Sequence, residues 1–169
     1  MNENHFEFAY LLEDYFKLDF YKSDHGINHW ERVRILGEHL AKVTGADPDV
    51  VYYFAYCHDI KRENEGTDPK HGLRAAEFVN GFFIPYPEDA DLNKKQIEQL
   101  KYACGFHCQS GAKSDDITIQ TCWDADRLDL WRVGVVPDPY FLNTEEAKQK
   151  ETIEFAKNLY EKWEYILND

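Results

Sequence analysis

The chain has 169 residues, 43% of them hydrophobic and 15% aromatic, which suits one domain over 1–169 and needs no second core. Asp and Glu outnumber Lys and Arg by 32 to 19, a net charge of −13 that argues against a nucleic-acid polymer as partner, because a phosphate backbone demands a cationic face. No stretch approaches the roughly 20 apolar residues of a membrane span. The opening MNENHFEFAY has neither the basic region nor the apolar core of a signal peptide, so a cytoplasmic protein that engages no membrane is expected.

In chain order the pattern is helix after helix, with hardly any strand-like alternation. A first helix is predicted from about Glu3 to Phe20, aromatic on several sides. A second begins near His29 and stops at Gly45, a residue suited to a left-handed cap. Asp47-Pro48 reads as N-cap and first helical position of a third, which ends in the doublet His58-Asp59. Asp68-Pro69 repeats that signal after the charged loop KRENEGTD. A helix then starts near His71 and is followed by the loop IPYPEDAD. Asn93 and Gln96 form a capping box for a helix reaching Ser110 and closed by Gly111. Ser114 or Asp115 caps the next, through about Val133. After a Pro-rich turn at Val136 to Phe141, Thr144 caps a C-terminal helix over 144–168. The four cysteines, Cys57, Cys104, Cys108 and Cys122, fall inside these helices and are read as reduced.

Several of these helices carry a metal-binding side chain on an apolar stripe. His29, Val33, Leu36, Leu40 and Val43 share one face; so do His71, Ala75, Phe78 and Phe82, and again Ile97, Leu100, Cys104 and His107. Ile117, Thr121, Asp124, Leu128 and Trp131 set a carboxylate in the middle of another. A carboxylate out of water needs a compensating cation or several donors. His58 lies on the stripe of Val51, Phe54 and Ala55, and a helix ending at the doublet would let Asp59 approach the same cluster. One inward His is usually a core residue. Five inward candidates on five successive helices point to a metal site, which no single helix could surround.

The motifs resemble those of the HD-domain metal-dependent phosphohydrolases: a His, a His-Asp doublet and a distant Asp, here His29, His58-Asp59 and Asp124. SDHGINHWERV, FAYCHDIKR and TCWDADRLDLWRVG carry the likeness, over roughly Asp24 to Thr144. KHGLRAAEFV and KYACGFHCQSG are similar to the segments that add two further histidines in a subset of the family, with His71 and His107 in the matching places. The resemblance implies an all-α HD-type bundle and a binuclear site of six ligands, with His29, His58 and Asp124 on one ion, His71 and His107 on the other, and Asp59 bridging. Where many relatives have paired histidines, this chain has His107-Cys108.

Two ions of this kind could lower the pKa of a bridging water and clamp a phosphoryl oxygen, giving hydrolysis of a phosphoester or phosphoanhydride with Asp59 and His58 at its centre. No Gly-rich phosphate loop, Gly-x-Ser-x-Gly or His-Glu-x-x-His competes with that reading. The expected substrate is a nucleotide or another small phosphorylated metabolite. Its phosphates need cations, for which Lys61, Arg62, Arg74 and Arg127 are candidates, Lys61 and Arg127 foremost; His25 is a candidate substrate contact, general acid or turn residue. His and carboxylate ligands suit iron, manganese, cobalt, nickel and zinc alike. A di-iron oxygenase and a non-catalytic nucleotide- or metal-binding regulator are the alternatives. Cys104 and Cys108 are read as packing residues rather than a separate zinc site, and Trp30, Trp123 and Trp131 as base-stacking or core residues. Specificity is expected from the loops Glu63 to Asp68 and Pro85 to Asp91, and a homodimer could form through the aromatic-rich first and last helices.

Overall fold

Asp47 accepts the backbone N–H groups of Asp49 and Val50 at 3.1 and 3.4 Å and, with Pro48 at the first helical position, starts a helix where the sequence predicts one. Asn93 and Gln96 close their capping box on each other's backbone, and Gly45 ends the preceding helix in the left-handed region, at φ 77°. The computed structural model describes residues 4–83, 92–109 and 112–168, and among them every regular element is a helix. They are α1 (Asn4–Leu11), α2 (Ile27–Thr44), α3 (Pro48–Cys57), α4 (His71–Phe83), α5 (Lys94–Phe106), α6 (Ile117–Leu128) and α7 (Lys150–Asn168), with short 3-10 turns at Glu13–Tyr15, Asp129–Val133 and Pro139–Phe141. The predicted loop IPYPEDAD and the closing Ser110-Gly111 lie outside the described residues.

Helix α2 packs on α3 and α6, and α5 on α3, α4 and α6. Helix α7 covers α2 and the turn at Asp129–Val133. Trp30 and Trp123 are fully buried among Leu36, Phe54, Leu100 and Leu128, so both serve the core rather than a base. No helix among the described residues is long and apolar enough to cross a membrane.

Several boundaries differ from the sequence reading: α5 ends at Phe106 rather than Ser110, and α6 at Leu128, with a 3-10 turn carrying on to Val133. The first helix stops at Leu11, and the chain leaves helical geometry at Phe16. Asp19 then accepts the N–H groups of Tyr21 and Lys22 at 3.1 and 3.0 Å, a local turn that competes with helix, while Phe16 and Phe20 pack edge-on against Trp30. Asp116 rather than Ser114 or Asp115 caps α6. The last helix begins at Lys150, not Thr144; Thr144 Oγ1 accepts from Ala147 N at 3.2 Å and so caps only a turn ahead of it, while its own donors are held by Asp124. Cys108 falls in the turn after α5, outside any helix, and all four cysteines are free thiols.

Candidate metal centre

Helix α3 ends at Cys57, with His58 as its C-cap, so the doublet sits on a helix end as the sequence suggested. His29 lies in the first turn of α2, His71 opens α4, and His107 caps the C-terminus of α5. These ends converge. His29 Nε2 and His58 Nε2 are 3.0 Å apart, and His71 Nε2 and His107 Nε2 are 2.8 Å apart. Asp59 stands between the two pairs. Its Oδ2 is 3.8 Å from the Nε2 atoms of both His29 and His58, and its Oδ1 is 3.1 and 3.4 Å from those of His71 and His107.

Each ring is held from behind. Nδ1 faces the Asp129 carboxylate in His29, the Phe54 and Ala55 carbonyls in His58, the Asp68 carbonyl in His71 and the Cys104 carbonyl in His107. An acceptor behind Nδ1 makes that atom the N–H donor and turns the Nε2 lone pair inward. Lone pairs facing each other at 2.8–3.0 Å need a proton or a cation between them. Asp59 Oδ1 is buried and takes part in no hydrogen bond, a costly state that a cation would relieve. Donor set, ring orientation and orphaned oxygen all fit a divalent metal.

The arrangement around the histidines differs from the expected ligand set at its last member. Asp124 is fully buried, but its oxygens accept from Asn143 N and Nδ2 and from Thr144 N and Oγ1, at 2.7–2.9 Å. Several donors, not a cation, compensate it, and it ties α6 to the chain before α7. Asp126 takes the place at the cluster, its Oδ1 3.4 Å from His29 Nε2 and 3.7 Å from His58 Nε2. Burial opposes ionisation of Asp126, yet the His29 contact and the charges of His58 and Arg132 hold it well below the usual carboxylate range.

Asp129, also missed, accepts from Arg32 Nε and Nη2 at 2.7 and 3.1 Å while holding His29 Nδ1 at 2.7 Å. The clue was available: positions 126 and 129 share a helical face, and a buried Arg32 on α2 needs a partner. We expect Asp129→Ala to strand that guanidinium, lowering unfolding free energy by roughly 3 kcal/mol. It should also weaken metal binding by about ten- to hundred-fold through loss of ring orientation. Denaturant unfolding and chelator competition would check the two effects separately.

The expected cationic residues divide. Lys61 donates to the Tyr15 carbonyl and lies over the Tyr15 and Phe78 rings, and Arg74 binds the Lys61 carbonyl and Asp68, so both are engaged by the fold rather than the cluster. Arg62 Nη1 is 3.9 Å from Asp59 Oδ1, and Arg132, which was not anticipated, is 3.8 Å from Asp126 Oδ1. Arg127 donates to the Phe141 carbonyl and lines a cleft of about 640 Å³ that reaches His107, Lys113 and Asn143. His25 is buried, with Nδ1 2.8 Å from Asp59 Oδ2, and so holds the carboxylate rather than reaching outward.

Protonation is asymmetric. Burial pushes His58 down to about 3 despite the Asp59 and Asp126 charges. Burial acts likewise on His71, but its contacts with Asp59 and Cys108 and the Asp59 charge outweigh it and raise the group to about 10. His107 is raised as well, by Asp59 against its burial. A metal entering the His71–His107 side must therefore displace a proton, whereas His58 offers a free lone pair at neutral pH. Affinity at the His71–His107 side should rise between about pH 6 and pH 8, by up to roughly tenfold per unit for each proton displaced, and His58 should add no such dependence at the other side. Zinc titrations against a competing chelator across that range would show two affinities with different pH slopes.

No family model matches the chain, and neither does any curated protein. In fold the chain is similar to the crystal structure of a predicted HD superfamily hydrolase from an uncultured Thermotogales bacterium. The TM-score is 0.66, with 24% sequence identity, over 95% of this chain and 89% of that one. The all-α HD-type bundle expected from the sequence is thus the fold of this protein.

Proposed function

We propose that this protein is a metal-dependent phosphohydrolase acting on a nucleotide or another small phosphorylated metabolite. The observation that carries the reading is the single carboxylate, Asp59, set between two pairs of inward-turned imidazoles with one oxygen toward each. His29, His58, Asp126 and Asp59 Oδ2 would hold one ion, and His71, His107 and Asp59 Oδ1 the other. Iron, manganese, cobalt, nickel or zinc bound there would supply positive charge for phosphoryl oxygens and lower the pKa of water.

The chain's own groups do the rest. His25 Nδ1 donates to Asp59 and fixes the plane of the bridging carboxylate. Arg62 and Arg132 flank the carboxylates of an otherwise acidic protein and favour an anionic substrate at that edge. Arg127, Lys113 and Asn143 line the adjoining cleft and can bind phosphate oxygens, while the exposed rings of Tyr140 and Phe141 on the same cleft offer faces for a base. The cluster is buried, so these interactions act with little solvent screening. The fold likeness to a predicted HD superfamily hydrolase supports the same chemistry.

The test is metal content of protein purified without added metal or chelator, in air and anaerobically, followed by phosphate release from a panel of nucleotides and phosphorylated metabolites. About two transition-metal ions per chain and chelator-sensitive phosphate release are expected. His71→Ala and His107→Ala should each lower the content to about one ion. A folded protein that binds no metal after reconstitution would end the reading, and iron with oxygen uptake but no phosphate release would replace hydrolysis by oxidation.

A further inference from the structure

Cys57, Cys104 and Cys122 are sealed in the core, whereas Cys108 is half-buried, in the turn directly after His107, and lines the cleft. Donor atoms of His71, His107 and Cys108 all lie within 4.8 Å of one another. The close approach of α4 to this turn depends on Gly72: a Cβ there would stand 2.8 Å from the Cys104 carbonyl oxygen and 3.1 Å from Cys108 Sγ. With hydrogen in that place, α4 comes close enough to set the His71 ring beside the sulfur. A thiol that coordinates a divalent ion is deprotonated by it. A second observation points into the same space. Asp59 Oδ1, buried and without a hydrogen bond, lies 3.1 Å from His71 Nε2 and 3.4 Å from His107 Nε2.

We infer that Cys108 Sγ is a fourth donor to the ion held by His71, His107 and Asp59 Oδ1, making this half of the site a thiolate site. The inference rests on the binuclear reading above. Two imidazoles, one carboxylate oxygen and one thiolate suit a tetrahedral ion, and the soft sulfur favours zinc, cobalt or iron over manganese or magnesium. The His29–His58 half, with nitrogen and oxygen donors only, has no such bias. The protein should therefore hold two chemically different ions, the one beside the cleft being the more thiophilic.

The test is to load the full-length chain with cobalt(II), measure cobalt per chain, and record the near-ultraviolet thiolate-to-cobalt charge-transfer band. Expected is a band in the parent protein and in Cys104→Ala, absent from Cys108→Ser, with zinc affinity at the second site of Cys108→Ser lowered at least about tenfold. Circular dichroism would confirm that the serine variant is folded. Two bound cobalt ions with no band, or a band that survives Cys108→Ser, would overturn the thiolate ligand and leave the binuclear reading standing. Failure to bind any cobalt would overturn both.

Discussion

Asp59→Ala should reduce metal-dependent turnover by at least about a thousandfold, beyond the ten- to hundred-fold typical of losing a group that only supports a ligand. The reason is geometric. Asp59 is buried in the turn that follows α3, and it is the group whose two oxygens address both histidine pairs. Removing it takes away a donor from each proposed ion and the charge that holds two ions close together. The fold should survive, because the turn after α3 is closed by the Asp59 backbone carbonyl, which accepts from Arg62 N at 3.0 Å whatever the side chain, and the side chain's own hydrogen bond is to His25 within the cluster. Helical circular dichroism should therefore be retained while metal content falls below two. Asp59→Asn, close in shape but neutral, should also fail, which separates charge from volume. Full activity in either variant would sink the mechanism.

The helices were legible where a local signal and the tertiary structure agree. Asp47-Pro48, the Asn93/Gln96 box and Gly45 each satisfy a backbone group within one turn of themselves, so no distant contact is needed to read them. Phe16 to Phe20 was read as helix because aromatic residues fit a packed helix face. The deciding interactions are the Asp19 turn and edge-on contacts with Trp30, which the sequence does not display as periodicity. His29, His58, His71 and His107 were legible as a set because each heads or ends an apolar stripe that packs toward one core, only Val43 at the far end of the His29 stripe being exposed. The cations were not. Whether a Lys or Arg faces a site or a neighbouring carbonyl depends on loop paths, and Lys61 and Arg74 are both taken up by such carbonyls.

Asp124 and Asp126 should respond to substitution in opposite ways. On an ideal helix they are separated by about 200°, whereas Asp126 and Asp129 are about 300° apart and share a face. Only one of the first two can therefore meet His29. The apolar stripe correctly places Asp124 inside, but α6 has two buried directions, and Asp124 points along the one that leads to Asn143 and Thr144. Asp124→Ala leaves the N–H groups of Asn143 and Thr144 without acceptors. Unpaired buried donors cost about 1–3 kcal/mol each, so a loss of roughly 3 kcal/mol is expected, with a fall in Tm of roughly 10 °C. The metal content of the protein that remains folded should be unchanged. Asp126→Ala removes an oxygen from the His29–His58 side and nothing from the backbone, so its unfolding free energy should move by less than about 1 kcal/mol. Its affinity for the first ion should fall at least about a hundredfold, with turnover falling alongside. Thermal unfolding and metal content measured on the same two preparations decide the assignment. If Asp124→Ala empties the site while Asp126→Ala does not, α6 presents its other face to the histidines and the ligand set reverts to the one expected from the sequence.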